Sequence, residues 1–114
     1  MSIENSWELL PYLDKRRKDL DRALLLAKER GIALAEAEKV YRIEKRKAFL
    51  QAQHNGIRAT LIRDYVNGDE KISELRYRRD VAKTLYDNAV EAINVYKLDC
   101  RLIENQIARD WNAT

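Results

Sequence analysis

Residues 71 to 111 read KISELRYRRDVAKTLYDNAVEAINVYKLDCRLIENQIARDW, and this stretch decides the fold. Stepping three and four residues alternately from Ile72 gives Leu75, Arg79, Ala82, Tyr86, Ala89, Ile93, Tyr96, Cys100, Ile103, Ile107 and Asp110. Ten of these twelve positions are apolar or aromatic. That spacing lays one seam along one side of a long helix, as a coiled coil or bundle requires. At roughly 1.5 Å per residue such a helix is ~60 Å long, so its seam must meet another helix.

Upstream, a first helix is expected over about 8–54, with Ser6 as its N-cap and Pro11 confined to the opening turn. Leu13, Leu20, Ala27, Leu34, Tyr41 and Ala48 recur at strict seven-residue spacing. The companion positions are mixed: Leu24 and Ala52 are apolar, whereas Arg17, Gly31, Glu38 and Lys45 are not. Leu25, Leu26, Ala33, Ala37 and Val40 widen the apolar face beyond a two-stranded seam, which points to a bundle. Gly31 is a candidate kink, costing about 1 kcal/mol relative to alanine; the helix is read as continuous through it.

His54-Asn55-Gly56 reads as a helix end with a left-handed glycine cap, and His54 as a residue of the C-terminal turn. A short amphipathic helix follows over 57–66, ended in the same manner by Asn67-Gly68. Asp69 then caps a last helix over 70–111. Asp14 with Lys18, Glu38 with Arg42 and Glu74 with Arg78 stand one turn apart, suited to ion pairing. The expected fold is all-α: a long antiparallel helical hairpin, coiled-coil-like, with a short helix at its tip.

At 114 residues the chain is a single helical domain, and three glycines and one proline leave few breakpoints. Charged residues at 36% beside 46% hydrophobic ones are the composition of long amphipathic helices. A lone hairpin buries little apolar surface for its length, so self-association into a homo-oligomer is expected to complete a bundle. Its seam would be Leu20, Leu24, Leu34, Tyr41, Tyr86, Ile93, Tyr96, Ile103 and Ile107. The N-terminus lacks the apolar run of a secretory signal, and no stretch approaches the ~20 apolar residues of a membrane span. A soluble cytosolic protein without membrane contact is therefore expected. Cys100, the single cysteine, falls on the seam and reads as a small buried hydrophobe.

Net charge is +3, but its distribution is uneven. From Lys39 to Lys83 there are twelve basic and six acidic residues. In a hairpin turning near residues 55 to 70, Arg42 and Arg46 are expected beside Arg78 and Ala82. Arg76, Arg79, Arg58 and Arg63 would join them in a basic tip suited to an anionic partner. The competing reading is a solvated surface whose arginine stems cover apolar flanks. The run Lys15-Arg16-Arg17-Lys18 is bracketed by Asp14, Asp19 and Asp21 and reads as a solvated face. Ala52, Gly56 and Ile62 match the small, glycine and apolar spacing of a helix-turn-helix, with Arg58, Thr60 and Arg63 directed outward.

Catalysis has no foothold in these residues, and no enzyme, cofactor, metal or small-molecule substrate is expected. His54 is the only histidine and Cys100 the only cysteine, too few for a zinc site. Asp64, Asp69, Glu70 and Glu74 cluster near a turn, where acids ordinarily serve helix starts.

Several phrases carry a resemblance: Gly56-Ile57-Arg58-Ala59-Thr60-Leu61-Ile62, Asn67-Gly68-Asp69, Glu74-Leu75-Arg76, Glu91-Ala92-Ile93-Asn94, and Leu102-Ile103-Glu104-Asn105-Gln106-Ile107 to Trp111. Over its last two-thirds the chain resembles a group of small helical proteins encoded by phages and prophages of Gram-positive bacteria. Asp110 departs from the glutamate of that pattern. The resemblance implies action in the host bacterial cytoplasm by binding and inhibiting a host or defence protein, such as a CRISPR nuclease. The alternative it leaves open is a nucleic-acid-binding accessory of phage replication or recombination, using the helix-turn-helix-like tip.

Overall fold

A computed structural model describes residues 6–112. These residues form three helices: α1 Ser6–His54, α2 Ala59–Asn67 and α3 Glu70–Asn112. No strand occurs among the described residues, and none of their helices is long and apolar enough to cross a membrane. The expected all-helical order is observed, with boundaries within two residues of those read from the sequence.

The chain divides into two compact units, Met1–Lys28 with Asp87–Thr114, and Glu29–Tyr86. In the first unit, Leu9 and Leu13 pack with Cys100 and Ile103, flanked by Tyr12 and Ile107. A second cluster joins Ala23 and Ala27 to Ala89 and Ile93, flanked by Leu20 and Tyr96. Earlier residues of α1 therefore meet later residues of α3, so the two segments run antiparallel. Cys100 is free and buried, as its seam position predicts.

In the second unit, Tyr41, Ala52, Ile62, Val66 and Ile72 form one buried cluster, packed against Ala48, Phe49, Ile57 and Leu75. Here α2 closes the turn between α1 and α3 by inserting Ile62 and Val66, one turn apart on a single face. Every position of the α3 register from Ile72 to Asp110 is buried or half-buried; none is exposed. The same holds for Leu13, Leu20, Ala27, Leu34, Tyr41 and Ala48 on α1. Of the residues expected to form an oligomer seam, only Leu24 stays exposed. The rest are covered within the chain, because α1 and α3 bury their registers against each other.

Two local expectations change, at Pro11 and at Gly68, and the one at Gly31 holds. Pro11 lies past the opening turn of α1, since the helix already begins at Ser6. Burial of Leu9 and Leu13 holds that segment helical although Pro11 donates no backbone hydrogen bond. Gly31 neither breaks nor ends α1, which runs unbroken from Ser6 to His54. Its missing side chain admits the Tyr86 ring: a Cβ there would meet Tyr86 Cε1 at 3.2 Å.

The two Asn-Gly pairs also prove unlike. Gly56 has φ 78, and Ile57 and Gly56 donate to the carbonyls of Ala52 and Gln53 at 3.1 Å each. That is the paired closure of a Schellman cap. Gly68, expected to be left-handed too, has φ −85 and ψ −6. Its amide donates to Asp64 O at 2.9 Å and that of Asp69 to Val66 O at 3.1 Å. The chain passes directly into α3, which Asp69 caps by accepting the Ile72 amide at 3.1 Å. A two-residue link, Gly68-Asp69, joins the helices here without a left-handed reversal.

Candidate functional site

The basic residues expected at the tip fall within the second unit, and the structure sorts them by what each already holds. Arg42 donates to Glu38 at 2.8 Å and Arg78 to Glu74 at 3.1 Å, both as pairs one turn apart. Arg79 occupies its seam position. Its guanidinium lies 4.6 Å from the Tyr41 ring centroid and pairs with Glu38 at 3.6 Å and Asp80 at 2.9 Å. The hydrogen bond to Asp80 chiefly, with the charges of Asp80 and Glu38, pushes the Arg79 guanidinium up from its ordinary value. This arginine joins α3 to α1 rather than offering itself to a partner.

Lys71 reaches across to Glu44 at 3.1 Å, and Lys47 approaches the same carboxylate at 3.5 Å. The Lys71 hydrogen bond is the main cause that holds the Glu44 carboxyl below its ordinary value. Together the contacts Glu44–Lys71, Glu38–Arg79 and Gly31–Tyr86 set the register within this unit. It is offset by seven residues, about two turns, from the expected one, so Arg42 lies level with Leu75 rather than with Ala82. Packing of Tyr86 on Gly31 selects this register, and heptad spacing alone is blind to it.

Arg46, Arg58, Arg63 and Arg76 remain. None makes an ion pair among the described residues. Arg46, Arg58 and Arg63 are exposed, and Arg76 is half-buried. Arg58 stands immediately before α2 and supplies the carbonyl that accepts the Leu61 and Ile62 amides at 2.8 and 3.1 Å. Leu61 and Tyr65, 53% and 57% exposed, follow it at three and seven residues on the outer face of α2. The arrangement is an apolar and aromatic strip with Arg58 at its edge, while Arg63, two residues from each of Leu61 and Tyr65, projects from the opposite flank of α2. Charge counting found the arginines, whereas Leu61 and Tyr65, uncharged members of the short amphipathic helix, carry no signal that such a count detects.

The helix-turn-helix spacing is matched in geometry at its three positions. Ala52 is 1% and Ile62 3% exposed, and Gly56 takes the positive φ that the turn requires. Arg58, Thr60 and Arg63 are exposed as expected.

The Lys15 to Lys18 run in the first unit is not simply a solvated face. Arg16 donates to the Tyr12 hydroxyl at 3.1 Å and pairs with Asp99 at 3.5 Å and Asp19 at 3.4 Å. It also lies 5.2 Å from the Tyr12 and 5.8 Å from the Tyr96 ring centroids. Arg17 crosses to Glu104 at 3.3 Å, while Lys18 pairs with Asp14 at 3.0 Å as the spacing predicts. No group of three or more metal-ligating side chains occurs among the described residues.

No protein-family model, curated protein or solved structure matches the chain. The surface itself therefore has to carry any functional reading.

Proposed function

We propose that the chain is a non-enzymatic interaction protein that self-associates and engages a macromolecular partner through the outer face of α2. One observation carries this reading. Arg58 is exposed without an ion pair beside exposed Leu61 and Tyr65, and Arg63 is likewise exposed and unpaired on the other flank of a helix anchored by buried Ile62 and Val66. Arginine and tyrosine on a rigid support are the residue types that dominate protein–protein hot spots. The positive edge favours an acidic partner surface and speeds encounter with it. In the phage setting implied by the resemblance, the partner is a host protein in the bacterial cytoplasm. A defence component that handles nucleic acid, such as a CRISPR nuclease, is the form we favour, and binding would inhibit it.

A second reading is supported by Ala52, Gly56 and Ile62, whose burial and backbone match helix-turn-helix positions. In it, Arg58, Thr60 and Arg63 face a nucleic-acid groove in a replication or recombination module.

Affinity capture from infected cells tests the first reading, comparing the parent with a Arg58→Gln, Leu61→Ala, Arg63→Gln, Tyr65→Ala variant. The expected result is one protein retained by the parent and lost by the variant. Retention of the same protein by both removes the α2 face from consideration. Binding of duplex DNA whose affinity falls steeply with salt favours the second reading instead.

A further inference from the structure

The face of α1 turned away from α3 carries a second register. Within the second unit it runs Glu29, Ile32, Glu36, Lys39, Ile43, Arg46, spaced alternately by three and four residues. All six side chains are exposed, with Ile32 at 62% and Ile43 at 45%. This is the spacing of a coiled-coil seam, here with no helix against it. The four charged members make no ion pair among the described residues, although Glu36 and Lys39 stand one turn apart. On the same helix Glu38 and Glu44 are both paired.

The order of residues has a reflection in it. Position numbers that sum to 75 join Glu29 to Arg46, Ile32 to Ile43 and Glu36 to Lys39. In sequence the reflection extends one step further, to Leu25 and Leu50. Each acid therefore reflects onto a base and each apolar residue onto an apolar one. A twofold axis beside the midpoint between residues 37 and 38 performs this reflection between two copies of the helix.

We propose that this face is the homodimer interface, occupied by a second copy of α1 in antiparallel orientation. A twofold interface uses the same patch on both subunits, so the patch must be self-complementary. Antiparallel pairing satisfies this in every layer. Ile32 meets the second copy's Ile43 twice, and four ion pairs form between Glu29 and Arg46 and between Glu36 and Lys39. Parallel pairing would set Glu29, Glu36, Lys39 and Arg46 each against its own copy, which gives four like-charge layers. The orientation is thus selected by repulsion as well as attraction. This gives the self-association proposed above a surface and a direction. It rests on that part of the reading and is independent of what α2 binds; Arg46 passes from the basic tip to the dimer face.

The test is mass in solution at tens of micromolar and low salt, with circular dichroism to confirm equal helix content. The parent should run at about twice the chain's 13.4 kDa. Glu36→Lys and Lys39→Glu should each weaken association by roughly tenfold or more, since each converts two attractive layers into repulsive ones. The double variant should return to dimer, because the reversed charges again face each other. A parent that is monomeric overturns both self-association and this interface. A dimeric parent with dimeric single variants, or a double variant that stays monomeric, overturns the interface and leaves self-association standing.

Disulfide formation reads the orientation directly. Ile32→Cys mixed with Ile43→Cys should cross-link into a heterodimer. Neither should cross-link to itself, because each position lies about 16 Å along the helix from its own copy, beyond the ~7 Å that a disulfide spans. Self-cross-linking of Ile32→Cys would establish a parallel pair and refute the proposal.

Discussion

The two Asn-Gly pairs read alike in sequence and differ in backbone, so they should respond differently to the same substitutions. Gly56 sits at φ 78 with nothing within 4 Å of an added Cβ. Its replacement by alanine therefore meets no packing obstacle, and the cost is conformational: about 1–2 kcal/mol for a non-glycine residue in the left-handed region. The reduced freedom of the unfolded chain offsets ~0.4–1 kcal/mol of that. The net loss expected for Gly56→Ala is roughly 1 kcal/mol, and Gly56→Asn should recover about half, since asparagine tolerates this region. Gly68, at φ −85, has no such preference. Its added Cβ would stand 3.2 Å from the Asp64 carbonyl oxygen, a tight contact that opposes the same unfolded-state gain. Gly68→Ala should lie within about 0.5 kcal/mol of the parent, with no advantage for asparagine over alanine. Urea denaturation of the four variants at one fixed protein concentration measures this, the fixed concentration keeping any association constant. If Gly56→Ala matches the parent, or if asparagine is no better than alanine at Gly56, the left-handed cap is not what ends α1.

Other consequences follow from single contacts. Arg79→Gln should cost about 1 kcal/mol, because it removes the contact over Tyr41, whereas Arg78→Gln should stay within ~0.5 kcal/mol in the same melts; equal losses would deny Arg79 its role on the seam. Asp69→Ala should destabilise by about 1 kcal/mol through loss of the cap on the Ile72 amide, with Asp69→Asn retaining most of it. Glu44 has a folded-state pKa below its ordinary 4.5, so its contribution is present above that value and disappears as pH falls through the lower folded one. Melting of the parent should therefore decline more steeply than that of Glu44→Gln on acidification below pH 4.5, and parallel curves would refute the link.

Helix type and extent were legible because spacing is a property of the chain alone. A register that steps three and four residues from Ile72 to Asp110 admits one regular structure, and every member of it is at least half-buried. Which residues of α1 meet which residues of α3 was not legible, because every heptad slip keeps apolar against apolar. The observed choice depends on shape at particular places, the Tyr86 ring on Gly31 and the alanines Ala23, Ala27 and Ala89 at one contact. The distinction between the Asn-Gly pairs escaped for a related reason. Glycine is demanded by a positive φ at Gly56, whereas at Gly68 it sits in a two-residue link that its dipeptide cannot distinguish.

Charge shows where sequence reasoning about function stops and where it can resume. Counting residues marks 39 to 83 as basic, but a count weighs a spent arginine and an idle one equally. In the folded chain Arg42 and Arg78 are held by the acids a turn before them, and Arg79 is held in the seam by Tyr41 and Glu38. Arg16, in a run that reads as solvated, binds two tyrosines and two aspartates. What remains separates into two groups. Arg58 borders exposed Leu61 and Tyr65 on α2 and Arg63 stands on its other flank, while Glu29, Glu36, Lys39 and Arg46 share the free face of α1 with two isoleucines. The second group includes acids as well as bases, which a surface made only to attract an anion has no reason to place in register. Self-complementarity does supply that reason, and it explains why unpaired glutamates at Glu29 and Glu36 share the outer edge of α1 with the bases Lys39 and Arg46.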